Sequence, residues 1–524
     1  MKWFFKLMLP ALVLASCADK EGSPLAVDPL ETGERPEVVS HGMIELGDEL
    51  DNPYSVTNMS AALAGVYPTR AAVELAPTDL YVRFLPGTAD DFDRLQGLGV
   101  ELFDYPLDRE ILTDGDYYHD PTIPAGEISW QYSVVPAGFE FPEGIRHEVL
   151  ENCFIPDDDV PTKGLEDVDW DAVERRSFEA TGNGAMLPAL TRAKTKSKPS
   201  GRITIVDDKL GKAVGVAGVK MVANVFVKVS TTYTDVQGNY SFPAKFSAKP
   251  KYSICFQNKL GFTIGMNLVL VPASVSTIGK DDPEGVDVTI NSNSDNVLFR
   301  RCVVNNAAYD YFQACSTKGI TAPPRNLRFW ILNSLRPSSA LMMHQGAIID
   351  TKLVGNFLDV YRILIQVFVP DITIGSKDKN GKYADLYSTA IHELAHASHF
   401  SVVKKDYWNT LATYVLSSYI LTGSCYGSDS RENSGYCAVA EMWAYYVGNK
   451  FYKDRYGANL NHGYGLWFHP EILMSLDEGG ISMAQIFSAL TPSVTESEAF
   501  KDELISVNPS KKSLIESSFR RNTR

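Results

Sequence analysis

His392-Glu393-Leu394-Ala395-His396 sets two imidazoles four positions apart, with a carboxylate beside the first. On a helix of 3.6 residues per turn the two rings lie one above the other, and both can reach a single tetrahedral Zn2+. Glu393 then stands where a base is needed. It can take a proton from the water that attacks a scissile carbonyl and return it to the departing amine. The chain holds nine histidines, too few for chance to be a good explanation of the pattern. Residues 383–391 read as the front of the same helix, with Leu386, Ala390 and Ile391 on its inner face.

Such a site needs a third ligand, and two residues compete for the place. Glu441 stands in the run Tyr436-Cys437-Ala438-Val439-Ala440-Glu441-Met442-Trp443-Ala444-Tyr445-Tyr446-Val447-Gly448, which reads as an apolar helix. A carboxylate on such a face is unfavourable unless a metal, or a Lys or Arg, satisfies it. His399 lies seven positions after His392 (399 − 392). On a continuous helix that displaces it by about 10 Å along the axis, too far to share one ion with both other rings. It is expected to support the site from behind or to line the cleft.

With Glu441 included, the set resembles the glutamate zincins (gluzincins), zinc peptidases in which a second helix supplies a glutamate, often as ExxA. The resemblance runs from residue 362 to about 490. It implies Zn2+ held by His392, His396 and Glu441, with Glu393 as the base. Glu441 follows His396 by 45 positions (441 − 396), farther than in many relatives. The HExxHxxGxxH pattern of metzincins is absent, because His399 stands where their Gly would be. For an oxyanion, the segment 461–469 offers His462, Tyr464 and His469 as donors; the same segment also reads as a packed turn ahead of Pro470. Residues 362–369 (Arg-Ile-Leu-Ile-Gln-Val-Phe-Val) suit an edge strand on which an extended peptide pairs through its main chain. The resemblance thus implies hydrolysis of a peptide or protein substrate. Two alternatives stay open: a binding or scaffold lipoprotein that kept the fold without turnover, and a zinc hydrolase of a glycoprotein or other amide.

The elements that must position these residues lie in the last part of the chain. From 291 to 524 helical patterns dominate, at 298–313, 325–335, 387–400, 408–421 and 439–452, with two short helices in 471–490 separated by Gly479-Gly480. Residues 201–290 alternate as strands. Thr234-Asp235-Val236-Gln237-Gly238-Asn239-Tyr240-Ser241-Phe242 resembles the carboxypeptidase regulatory-like, prealbumin-like sandwich. That resemblance implies a tight turn at Asp235 and Gly238, aromatics in the core, and no chemistry. Residues 76–190 read as a small α/β region: a strand at 80–84, a helix at 90–98, a strand at 100–103, strand-like pieces at 128–135 and a helix at 170–181. Its order of elements resembles the prosegments of some secreted peptidases; an accessory domain that is never removed is the alternative. The basic, polar stretch 191–200 is its linker. The fold class is therefore multidomain α+β: an N-terminal α/β region, a central all-β sandwich and a mainly helical, zincin-like C-terminal domain with an edge-strand sheet.

The first residues concern location. Lys2 and Lys6 precede the short apolar run Leu7–Leu14, and the segment ends Leu14-Ala15-Ser16-Cys17. This is a secretory signal (1–17), too short to span a bilayer. It resembles the lipobox of bacterial lipoproteins, which implies cleavage before Cys17 and lipid on its sulfur. Residues 18–75 lack sustained periodicity and are expected to form a flexible stalk, above all 18–36. Ala18-Asp19-Lys20-Glu21 after Cys17 resembles the surface-export signals of Bacteroidetes lipoproteins, which implies placement at the outer membrane, exposed at the surface. An even six cysteines remain, and in an exported protein Cys302/Cys315, Cys425/Cys437 and Cys153/Cys255 are candidate disulfides. With 49 basic against 64 acidic residues, a net charge of −15 and no basic run resembling a footprint, nucleic-acid binding is not expected.

Overall fold

Tyr81, Val82 and Phe84 are all buried, because the strand that carries them lies in the middle of a sheet. The computed structural model describes residues 42–522 except 125–126, 157–164, 189–196, 266–272, 274, 281, 294–295, 333–337, 348–369, 377–381, 423 and 461–464. The signal segment, Cys17, residues 18–41, most of the linker, the strand expected at 362–369, His462 and Tyr464 lie outside the described residues; the rest of the stalk expected at 18–75 is a correction, since it forms a strand at Glu45–Glu49 and a helix at Val56–Val66.

The first unit holds β1 (Glu45–Glu49), α1 (Val56–Val66), β2 (Asp79–Leu85), α2 (Ala89–Gly97), β3 (Arg109–Thr113), β4 (Gln131–Pro136), β5 (Arg146–Cys153) and α3 (Trp170–Ala180). Thr88 and Asp91 form a capping box that starts α2. Asp169 caps α3 through the amides of Asp171 and Ala172. The sheet runs β4-β2-β5, all antiparallel, and β1 pairs β3 separately. The strand expected at 100–103 does not form. After the turn at Gly99 (φ 78°) Phe103 alone pairs with β4 through its backbone, exchanging two hydrogen bonds with Tyr132. One residue in register is a bridge, and the β-α-β unit gives way to an antiparallel sheet.

The second unit holds β6 (Ser200–Asp207), β7 (Lys212–Gly215), β8 (Val219–Val225), β9 (Lys228–Tyr233), β10 (Asn239–Ser241), β11 (Lys251–Asn258), β12 (Phe262–Ile264), β13 (Val275–Lys280) and β14 (Val288–Ile290). One sheet runs β10-β6-β14, with β7 on β6. Asp235 accepts from the amides of Gln237 and Asn239 at 2.8 Å and so closes a tight turn. Gly238 (φ 82°) completes it, where a Cβ would sit 1.9 Å from the Ile203 carbonyl oxygen. Tyr240 and Phe242 then enter the core edge to face.

The third unit holds α4 (Asn296–Lys318), β15 (Leu327–Leu332), β16 (Ile372–Gly375), α5 (Tyr383–Thr422), α6 (Ser434–Tyr456), α7 (Glu471–Glu478), α8 (Met483–Ser488), α9 (Ser497–Val507) and α10 (Lys512–Asn522). The helix expected at 325–335 is a correction: its centre is β15, parallel to both β12 and β16. A short apolar run fits a buried helix or a buried strand equally, and here the neighbouring strands decide. The seven-stranded sheet β16-β15-β12-β11-β8-β9, with β13 on β11, therefore crosses the boundary at 290. One core cluster runs from Ile44 to Phe519 through all three units.

All six cysteines described stand as thiols, so the expected disulfides are not formed. Cys302 and Cys315 share the single helix α4, which separates them by about 20 Å along its axis, beyond any disulfide. Cys153 ends β5 and Cys255 lies in β11. Burial, and after it Glu441 and Cys425, push the Cys437 thiol up. Among the described residues no helix is long and apolar enough to cross a membrane.

Candidate metal centre

The helix that carries the two histidines is held at both ends and along its side. Its start is capped from the sandwich, where Asp208 Oδ1 accepts the Tyr383 amide at 3.0 Å. Tyr387 donates to Asp310 of α4, and Tyr311 of α4 donates to Ser398. Arg455, in the last turn of α6, binds both Asp207 and Asp310 and lies over the rings of Tyr383 and Tyr387. One guanidinium thus ties the sandwich, α4, α5 and α6 together. At Lys404 (φ 67°) α5 breaks, which matches the two separate helical patterns of the sequence.

Against α5 lies α6, where Ala440, Ala444 and Gly448 recur every four residues and keep the helices close. A Cβ on Gly448 would sit 3.8 Å from the Cβ of His392. Trp443 donates its indole N–H to the Ala395 carbonyl at 2.9 Å, fixing the rotation of one helix on the other. That contact sets Glu441 opposite the histidines.

The result is a convergent set. His392 Nε2 and His396 Nε2 are 3.2 Å apart, and each lies 3.4 Å from an oxygen of Glu441. Ligands at 2.0–2.1 Å around a tetrahedral ion such as zinc are separated by about 3.3–3.4 Å, so the three donor atoms are close enough together to hold a metal ion. Among the described residues they are the one His/Cys/Asp/Glu group close enough to hold a metal. Exposure is 4% for His392, 3% for His396, 2% for Glu441 and 0% for Glu393, which leaves little water to solvate the charge. Burial pushes the Glu441 carboxyl up, but His396 and His392 outweigh it and draw it down to about 2. Burial lowers His396, and Glu441 more than reverses this. A carboxylate and two imidazole nitrogens at this spacing are a donor set that can hold a divalent cation.

His399 is not in that set and does not line a cleft. It is fully buried, edge-on to Tyr407 and Trp408, and neither ring nitrogen has a hydrogen-bond partner. Burial and the neighbouring His396 hold its pKa down to about 3, so it is a neutral core residue. His469 turns to Glu471, 3.2 Å away, while its neighbour Phe468 packs on Tyr445.

Three residues around the imidazoles were not singled out in the sequence. Tyr445 stands edge-on to His392, with ring centroids 4.8 Å apart, and its hydroxyl shares a hydrogen bond with that of Tyr426. Trp408 stands edge-on to His396 at 6.1 Å and donates to the Ala340 carbonyl. Tyr445 could have been found from its place one turn after Glu441 on the same face; Trp408 and Tyr426 arrive through the tertiary fold. Compared with family models, with curated proteins and with solved structures, the chain matches none.

Proposed function

We propose that the chain is a zinc-dependent hydrolase of peptide bonds, tethered to the bacterial cell envelope by lipid on Cys17. One observation carries the reading: His392, His396 and Glu441 bring three donor atoms to tetrahedral zinc spacing with Glu393 beside them. Bound there, zinc supplies Lewis acidity, making water more acidic and a carbonyl carbon more electrophilic. Glu393 takes the proton of the attacking water. As the C–N bond breaks, Glu393 passes that proton to the departing nitrogen.

The deep burial of all four residues also fits a second reading, a metal that staples α5 to α6 without turnover. Glu393→Gln separates the two. The hydrolase reading expects about one zinc per chain by elemental analysis in both proteins, and a loss of about 10²–10⁴ in casein hydrolysis in the variant. Unchanged hydrolysis in the variant, or no hydrolysis by the zinc-loaded wild type, would sink it.

A further inference from the structure

We infer that the cavity between the first unit and the sheet of β8, β11 and β13 binds a small primary amine as its ammonium ion, held by Asp104 and Gln131. None of its described lining residues belongs to α5 or α6, so the site is independent of the hydrolase reading. Its floor is one face of that sheet. Alternate residues of a strand share a face, so Val222, Ser253 and Thr277 form one row across it and Lys220, Cys255 and Val275 the next. Its roof is the segment 100–105 after α2, with Gln131 at the start of β4. Phe103 and Tyr132 pair antiparallel, which makes Asp104 and Gln131 the adjoining positions on the two segments. The cavity measures about 60 Å³, and with 10–15 Å³ needed for one water it has room for roughly four non-hydrogen atoms.

The cations around the cavity are already matched: Lys220 pairs with Glu101, Lys251 with Asp114 and Arg301 with Asp116. What is left over is acceptor. Gln131 is 2% exposed, and its amide nitrogen donates to the carbonyls of Ser129 and Trp130. Those two acceptors fix the NH2 on their side and turn the amide oxygen away from them, and Oε1 has no hydrogen-bond partner. Asp104, also buried, accepts the Tyr118 amide at 2.7 Å and forms no ion pair among the described residues. A buried acceptor without a donor is unfavourable, and a buried carboxylate without a cation more so. An ammonium group brings three N–H donors and one positive charge and so meets both needs; an anion meets neither. The apolar part of the wall, Val100 and Val222 included, suits a short alkyl stem. Burial raises the Asp104 carboxyl to about 7, so below that pH a proton takes the place of the ammonium. The charged groups that face it are Lys251 and Asp116, each held in its own pair.

The test titrates propylammonium, 1-propanol and propionate into the full-length chain at constant ionic strength, followed by ligand-observed NMR. Propylammonium should bind with a millimolar Kd at pH 8. Proton and ammonium compete for one carboxylate, so binding should be about 10-fold weaker at pH 6. The alcohol, of the same shape but uncharged, should bind about 10-fold more weakly than the amine at pH 8, and propionate should not bind. Asp104→Asn should weaken propylammonium binding by about 10-fold or more and remove its pH dependence; Gln131→Met, which keeps the length and loses the acceptor, should weaken it by about 10-fold. Because the amine touches both walls, it should raise the thermal unfolding midpoint of the wild type and leave that of Asp104→Asn unchanged. Equal affinity for amine and alcohol, no saturable binding of the amine to the wild type, or wild-type affinity in both variants overturns the inference and leaves the cavity to water. Should a variant fail to fold, the three probes and the pH dependence on the wild type still decide.

Discussion

At the scale of single residues, Glu441 is the least replaceable group of the centre. It faces two imidazoles from inside an apolar helix, and among the described residues no Lys or Arg forms an ion pair with it. Removing it leaves two nitrogens without the carboxylate that completes the donor set. Glu441→Ala should weaken zinc binding by more than about 100-fold, measured by competition with a chelator. Retained stoichiometric zinc would mean that another residue completes the site. His399→Phe makes the contrasting case, because a neutral ring without hydrogen-bond partners among Tyr407 and Trp408 is replaced by an apolar ring. Zinc content should not change.

At the scale of elements, the centre depends on how closely α5 and α6 approach. Gly448 has room for a methyl group, since a Cβ there meets His392 at ordinary contact distance. A branched side chain has nowhere to go. Gly448→Ala should therefore keep zinc affinity within about threefold, whereas Gly448→Leu should lower it by 10-fold or more and destabilise the fold by about 1–3 kcal/mol. Titration with zinc and thermal unfolding check both. Equal affinities in the two variants would show that helix separation does not set the donor spacing.

At the scale of the whole molecule, the first unit is fastened to the rest by opposite charges. Glu101, Asp114, Asp116, Glu174 and Asp93 of that unit meet Lys220, Lys251, Arg301, Lys228 and Arg328 of the later units. Two of these pairs, Glu174 with Lys228 and Asp116 with Arg301, are buried on both sides. The surface is built to stay covered. A buried pair contributes little against an apolar replacement, but breaking one side strands a charge. Lys228→Met should destabilise the chain by about 3–5 kcal/mol, and adding Glu174→Gln should recover part of that loss. No recovery in the double variant, by chemical unfolding, would refute the stranded-charge account.

The same interface makes stability depend on pH. Burial raises the Asp104 carboxyl to about 7, against a partial lowering by the Tyr118 amide that donates to it. The folded chain then holds this proton more tightly than the unfolded chain, whose Asp titrates near 4. Between about pH 4 and 7 the folded state binds more protons, so stability falls as pH rises through that window. Asp104→Asn cannot ionise. Its stability relative to wild type should increase by on the order of 2–4 kcal/mol between about pH 4 and pH 8, measured by denaturant unfolding. Parallel pH profiles would show that Asp104 titrates like a solvated carboxylate.

The sequence by itself determined the local part of this protein. Helical spacing sets His392 above His396, Asp235 and Gly238 write a turn, and Gly479-Gly480 divides α7 from α8, because each depends on residues a few positions apart. The α+β class followed from the same short-range patterns. It also pointed to Glu441, since an acid in an apolar run is a local anomaly. Only the tertiary structure decided that β15 is a strand, that one sheet joins the sandwich to the helical unit, and that Trp408 stands beside His396 and Tyr426 beside Tyr445. Those outcomes depend on pairing and packing between distant segments, whose free energies exceed local propensity and leave no periodic mark in the chain.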